Sequence, residues 1–173
     1  MKLLLISYGD VEYDSRLRRL ISVFGRLGEL HTFTRGKKLL TEYGNICNAS
    51  YLPFIIGAIN YAGKLDTVDL LILDDRRATI PGLLIKAQID PAYTVLDCRE
   101  LYLFDEVRHF TGKVGCVFEK VMTRKADIVI CANNERAEIM KNRFSLTKRP
   151  LVYENIRQLE YTTYEEKMLA RQK

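Results

Sequence analysis

The sequence predicts an α/β fold: a doubly wound, mostly parallel sheet with helices on both faces. Three observations predict it. First, residues 2–7 (KLLLIS), 69–73 (DLLIL) and 127–132 (DIVICA) are continuous apolar runs, as expected of strands buried on both faces. Second, the apolar residues between these runs recur at three- and four-residue spacing, the period of amphipathic helices. Third, strand and helix patterns alternate along the chain, which argues for βαβ units with right-handed crossovers and a parallel sheet.

The elements follow in order. Residues 2–7 form the first strand, with Tyr8-Gly9-Asp10 as the turn after it. From Ser15 the period changes: Leu17, Leu20, Ile21, Phe24 and Leu27 share one helix face, with Asp14 or Ser15 to cap the start and Gly28 to end it. LHTFT at 30–34 is a second strand and NICNASYL at 45–52 a weaker third. Pro53 then opens a helix with Phe54, Ile55, Ala58, Ile59, Ala62 and Leu65 on one face. Strand 69–73 runs into Asp74-Asp75-Arg76-Arg77, and Thr79 and Pro81 begin a short helix to Gln88. After Pro91, Tyr93, Val95 and Leu96 make a strand that ends at Asp97. A helix from near Thr111 carries Val114, Val117, Phe118, Val121 and Met122 on its apolar side. Strand 127–132 follows, then a helix capped by Asn133 or Asn134 and reaching Phe144, and PLVY at 150–153 is the last strand. Beyond Asn155 the pattern fails, so the chain divides into one domain at 1–156 and a linker or helical tail at 157–173.

At 173 residues, 47% hydrophobic, 28% charged and 10% aromatic, the composition suits one globular domain and excludes a disordered or fibrous chain. No apolar run approaches the roughly 18 residues that cross a bilayer, and MKLLLISYGD turns polar too early for a signal peptide, so a cytoplasmic protein is expected. Cys47, Cys98, Cys116 and Cys131 are scattered without a C-x-x-C pair and only His31 and His109 accompany them, which signals neither zinc nor disulfides. Cys131 reads as a small buried hydrophobe and no pattern ties Cys98 to a histidine. The net charge of +5 favours an acidic partner: a phosphate-bearing substrate, an anionic membrane surface or nucleic acid. No nucleic-acid fingerprint accompanies it, and no nucleic-acid partner is expected.

Three constellations carry chemistry. In an open parallel sheet ligands bind beyond the carboxyl ends of the strands, and AYTVLDCRELY at 92–102 passes there from strand into charge. Asp97 or Glu100 is placed to act as a general base if buried, and Arg99 to clamp a phosphate; the alternative is a solvated loop. Asp14, Arg16 and Arg19 follow a Gly9-containing loop, and both arginines share a helix face near its N-terminus, where anions are favoured. The alternative is a pair of solvated arginines opposite the Leu17 stripe. Asp74, Asp75, Arg76 and Arg77 can bind a polar ligand or neutralise one another, and no metal is implied. Neither G-x-G-x-x-G nor a P-loop is present. The basic residues Lys113, Lys120, Arg124, Lys125, Lys141, Arg143, Lys148 and Arg149 form either a membrane-facing surface or a solvated helix face.

D-S-R-x-R-R at 14–19, DLLILDDRRATIPGLL at 69–84, VLDCRELY at 95–102, FEKVMTRKADIVICANNERAEIM at 118–140 and PLVYENI at 150–156 resemble, in that order, the N-terminal domain of family 4 retaining glycosyltransferases, which have the GT-B fold. The resemblance covers residues 1–156 and implies a Rossmann-like half that binds the acceptor. A second, C-terminal half, outside this chain, would bind the nucleotide-diphosphate-sugar donor, so this half alone is not expected to transfer sugar. No cofactor or metal is implied. Similar enzymes build surface polysaccharides, on glycan or lipid-linked acceptors, at the cytoplasmic membrane face, and peripheral contact with an anionic membrane follows as an expectation.

Carried over residue by residue, Gly9, Asp14, Arg16 and Arg19 match the family's cleft-lining first turn, and Asp97, Glu100 and Tyr102 match its Asp-Ser-His-Glu-Leu-Tyr motif. Arg99 stands where the family commonly has a histidine facing the donor sugar. Asp74 stands where a histidine before aspartate is common, with Asp75 as that aspartate. Arg99 and Glu100 are thus the expected catalytic positions, and Gly9, Asp14, Arg16, Arg19, Asp74, Asp75, Asp97 and Tyr102 the expected cleft. Glu119 and Asn155 match in structural roles. The rival reading is a stand-alone, non-catalytic Rossmann-type binding or regulatory domain; a dinucleotide-dependent oxidoreductase is disfavoured by the missing glycine fingerprint.

Overall fold

The computed structural model of the chain describes residues 1–36, 45–47 and 50–154. The tail at 157–173, and Asn155 with it, lies outside the described residues. Seven strands, β1 (Lys2–Asp10), β2 (Glu29–Arg35), β3 (Asn45–Cys47), β4 (Leu70–Asp74), β5 (Tyr93–Cys98), β6 (Ile128–Cys131) and β7 (Leu151–Val152), form one sheet. Its order is β3-β2-β1-β4-β5-β6-β7 and every pairing is parallel. The chain winds outward from β1 in both directions, so the strand order reverses between β1 and β4, the crevice where such folds take ligands.

Five helices connect the strands: α1 (Ser15–Phe24), α2 (Tyr51–Ala62), α3 (Thr79–Ile89), α4 (Phe110–Lys125) and α5 (Asn134–Arg143). Strand alternation sorts the core into two clusters. Leu3 and Leu5 of β1 and Ile72 of β4 pack with Leu17, Leu20 and Ile21 of α1 on one face. Leu4, Ile6, Leu71, Leu73 and Leu96 turn the other way, toward Phe54 of α2, Ile85 of α3, Met122 of α4 and Met140 of α5. Helix α3 lies so close to β4 that a Cβ at Gly82 would come within 2.3 Å of Leu73 Cδ1.

Three element boundaries differ from the sequence reading. Residues 8–10 continue β1 rather than turning, with a shift of register between Ser7 and Asp10. The turn comes at 11–13 and is set by Asp10, whose carboxylate accepts from Glu12 N at 3.0 Å while its carbonyl accepts from Asp14 N at 2.9 Å. Helix α1 ends at Gly25 rather than Gly28. The third strand is only three residues, and α2 begins at Tyr51, where part of that strand was expected. Pro53 therefore sits inside the first turn, where its missing N–H leaves no intrahelical bond unmade. Of the described elements, no helix is long and apolar enough to cross a membrane.

Candidate functional site

The strand ends carry acids, and the loops after them carry the arginines that meet those acids. Asp74 ends β4, and Asp97 is the penultimate residue of β5; they are register partners, and both are fully buried. A carboxylate in such a place must be paired or protonated. Arg16, in the first turn of α1, is 5% exposed and grips Asp97 with two parallel bonds, Nε to Oδ2 at 2.9 Å and Nη2 to Oδ1 at 2.5 Å. Arg99, just past β5, does the same to Asp74, with Nε to Oδ1 at 2.6 Å and Nη2 to Oδ2. Its third nitrogen, Nη1, reaches Asp14 Oδ2. Ser7 Oγ donates to Asp74 Oδ2 at 2.6 Å, and Asp14 caps α1 by accepting from Leu17 N at 2.9 Å. Three carboxylates, from the cap of α1, β4 and β5, and two guanidinium groups, from α1 and the loop after β5, thus meet with the Ser7 hydroxyl of β1 in one lattice of two adjoining groups, Arg99 with Asp74 and Asp14, and Arg16 with Asp97.

Burial sets the protonation of this lattice. It raises the Asp74 carboxyl from its ordinary 3.8 to about 6, with Arg99 and Ser7 pulling the other way. It raises Asp97 as well, against the pull of Arg16. For Arg99 burial opposes the charge, but Asp74 and Asp14 outweigh it, so the guanidinium is held more firmly than usual.

Above the lattice lies a cleft of about 450 Å³, lined among others by Asp10, Tyr13, Asp14, Arg16, Arg99 and Glu100. Its far wall is Arg136, in the first turn of α5, which is capped by Asn133 accepting from Arg136 N at 2.9 Å. Arg136 donates to the Arg99 carbonyl at 2.7 Å and to Glu100 Oε2 at 3.0 Å, tying the loop after β5 to α5. Glu100 stays 57% exposed and has only Arg136 as its ion-pair partner among the described residues. With Asp10, whose carboxylate accepts only from Glu12 N among the described residues, it is one of two cleft carboxylates with an oxygen open to a ligand hydroxyl.

Of the residues singled out from sequence, Asp14, Arg16, Asp74, Asp97 and Arg99 come together, and Glu100 stands on their rim. Arg16 is neither solvated nor open to an anion: it is buried beside Leu17 and Leu20 and already holds a carboxylate. Arg19, one turn on, is half-buried and Gly9 lies within β1, and neither lines the cleft. Asp75 and Tyr102 lie apart from the lattice. Asp75 has φ 71° and ψ 166°, a region other than glycine rarely adopts, held there by its N–H to Asp97 O at 2.9 Å. Tyr102 stacks against Arg76, whose guanidinium carbon is 3.8 Å from the ring centroid. Asp74 does not pair with Arg76 or Arg77.

Sequence reasoning missed Arg136 and Ser7. Arg136 had a signal: it follows a strand and an Asn cap, the placement that made Arg16 a candidate. Cys98 is buried and its thiol is pushed well above its ordinary value by burial and then by Glu119, the opposite of what a thiolate nucleophile requires. Among the described residues no cluster of His, Cys, Asp and Glu could hold a metal ion.

No family model and no curated protein matches the chain. Solved structures of a sucrose-phosphate synthase from Thermosynechococcus elongatus share its fold. One matches with TM-score 0.58 at 14% identity over 99% of this chain and 95% of that one. A longer one matches with TM-score 0.63 at 14% identity over 87% of this chain and 47% of that one, so the present chain spans about half its length.

Proposed function

We propose that the chain is the acceptor-side domain of a GT-B glycosyltransferase. In this reading it works with a donor-binding domain to transfer a sugar, with retention, from a nucleotide-diphosphate sugar to a glycan or lipid-linked acceptor in surface polysaccharide synthesis. One observation carries the reading: a charged cleft opens at the carboxyl ends of β1, β5 and β6, on a fold that a sucrose-phosphate synthase, a GT-B glycosyltransferase, shares over 99% of this chain. Glu100 then accepts a hydrogen bond from the acceptor hydroxyl and takes up its proton as the bond from that oxygen to the sugar forms and the sugar's bond to the nucleoside diphosphate breaks, the diphosphate leaving with the electron pair. Arg99 anchors Asp74 and Asp14 as the rigid floor against which the sugars are placed. The outer face of α4, with Lys113, Lys120 and Arg124 beside half-exposed Val117 and Val121, is the surface assigned to anionic lipid at the cytoplasmic membrane face.

A second reading, a non-catalytic binding domain, is favoured by Arg99 itself. Where similar enzymes place a histidine toward the donor sugar, this chain has a guanidinium already bound to two carboxylates. Sugar transfer by the full-length protein against a panel of nucleotide-diphosphate sugars decides between them. Turnover with one donor, lost in Glu100→Gln, supports the transferase. A folded protein that neither turns over nor binds any donor supports the binding domain.

A further inference from the structure

A second pocket, about 380 Å³, opens on the other side of the end of β1, lined by Tyr8, Arg35, Tyr51, Arg76, Arg77 and the start of α4. That is within the 300–1,000 Å³ typical of small-molecule sites. Its charge is unlike that of the first cleft. There each guanidinium meets a carboxylate; here none of Arg35, Arg76 and Arg77 forms an ion pair with a described carboxylate. Three like charges gathered in one concavity repel one another unless an anion enters.

The three are held by their faces, which leaves N–H edges for a ligand. Arg35 and Arg77 lie over the Tyr8 ring, at 4.9 Å and 5.2 Å from its centroid, and Arg76 lies over Tyr102. Among the described residues their nitrogens make one side-chain bond, a long one, 3.7 Å from Arg76 Nη1 to Cys116 Sγ. Tyr51 Oη donates to the Arg77 carbonyl at 2.9 Å and fixes the turn that presents Arg76 and Arg77. Burial raises that phenol to about 12, so it adds no negative charge. The sixteen-residue α4 points its N-terminus at the same space: Thr111 and Gly112 line the pocket, and His109 at the cap position makes no side-chain cap bond. First-turn N–H groups and the helix dipole favour an anion there.

We propose that this pocket binds the phosphoryl group of a phosphorylated ligand, which, on the transferase reading, is the acceptor. Three guanidinium edges and a helix N-terminus match a tetrahedral dianion with several acceptor oxygens. The phosphoryl group belongs to a soluble phosphomonoester or to a lipid headgroup.

The test is calorimetric titration of the chain with inorganic phosphate and with pyrophosphate at constant ionic strength. Vesicle co-sedimentation, with phosphatidylcholine alone and with added phosphatidic acid, runs in parallel. Arg35→Ala/Arg77→Ala is compared with Arg149→Ala, which removes a distant surface charge. Soluble phosphate or pyrophosphate should bind at least about tenfold more weakly to the double variant and be unchanged in Arg149→Ala, since each charged hydrogen bond is worth about 1.5–3 kcal/mol. Binding only to phosphatidic acid vesicles, lost in the same variant, assigns the group to a lipid. Equal binding by wild type and double variant overturns the proposal, as does a folded wild type that binds neither phosphate, pyrophosphate nor the vesicles. If the double variant unfolds, Arg77→Gln at an exposed position replaces it. No donor is used, so phosphate binding without sugar transfer leaves this site standing and sinks only the transferase reading.

Discussion

Glu119→Gln separates the charge on one buried carboxyl from the packing around it. Glu119 sits on the inner face of α4, 1% exposed, with a hydrogen bond from the Cys98 thiol and, among the described residues, no partner for Oε2. Burial first, and the nearby Asp75 second, raise its carboxyl from 4.5 to about 8, with Arg76 pulling the other way. The sign follows from proton counting. Between these two values the folded chain keeps a proton that the unfolded chain releases, so stability is fully present below pH 4.5 and is lost as pH rises toward 8. At about 1.4 kcal/mol per pH unit the interval amounts to about 5 kcal/mol, of which about 3 kcal/mol is already lost at pH 7. Glutamine keeps the shape and does not ionise. Urea denaturation of both proteins between about pH 5 and pH 9 is the assay, read as the difference in unfolding free energy at each pH. The variant should gain on the wild type by several kcal/mol across that range, whatever constant offset its amide introduces. Two curves that stay parallel would refute the argument, because Glu119 would then be ionised in the fold at no cost.

Arg16→Ala should lose about 3–5 kcal/mol, because Asp97 is left buried without its bidentate partner and must either bear an uncompensated charge or take up a proton; a shift in urea midpoint equivalent to under 1 kcal/mol would contradict the pairing. Arg99→Met should push the Asp74 carboxyl above its value of about 6, since the chief opposing charge is gone, and carboxyl NMR titration reads this directly; a fall would reverse the assigned balance. Asp75→Gly should stabilise the fold by about 1 kcal/mol, the relief of positive-φ strain less the entropy glycine adds to the unfolded chain, with thermal melting as the check and a net loss as the contrary result.

The central strands were legible because a parallel sheet covered on both sides needs unbroken apolar runs, and KLLLIS and DLLIL supply them. The cap of α1 was legible too, since Asp14 immediately precedes the periodic stretch. The start of α2 was not: a proline is equally at home at several positions of a first turn, so Pro53 marked the helix without marking its first residue. The site was half legible. Residue type and the strand-end rule put Asp97 and Arg99 at the carboxyl end of β5, where the structure has them, but the partners lie 81 residues apart for Arg16 and Asp97 and 85 for Arg99 and Asp14. Which arginine meets which acid is decided by strand register and by the turn of α1 toward β5, and a linear pattern contains neither. For that reason the linear pattern leaves Arg16 open to an anion or to solvent, whereas in the fold it is a buried cation paired with Asp97.

The two concavities differ because the chain reverses its side-chain direction at Asp75. Asp74 is the last residue of β4 and points into the lattice with Ser7 and Arg99. Arg76 and Arg77, two and three residues later, point into the second pocket. An extended strand would alternate Asp74 and Arg76 onto the same face, and Arg76 would then join the lattice and tip its charge. The positive φ at Asp75 prevents this, anchored by its N–H on Asp97 and followed at once by the single 3₁₀ turn Arg76–Ala78. One strained residue therefore keeps the carboxylates on one side and, on the other, guanidinium groups that form no ion pair among the described residues. On the proposed reading, the side where charges cancel meets the neutral hydroxyls of a sugar and the side where they accumulate meets its phosphate.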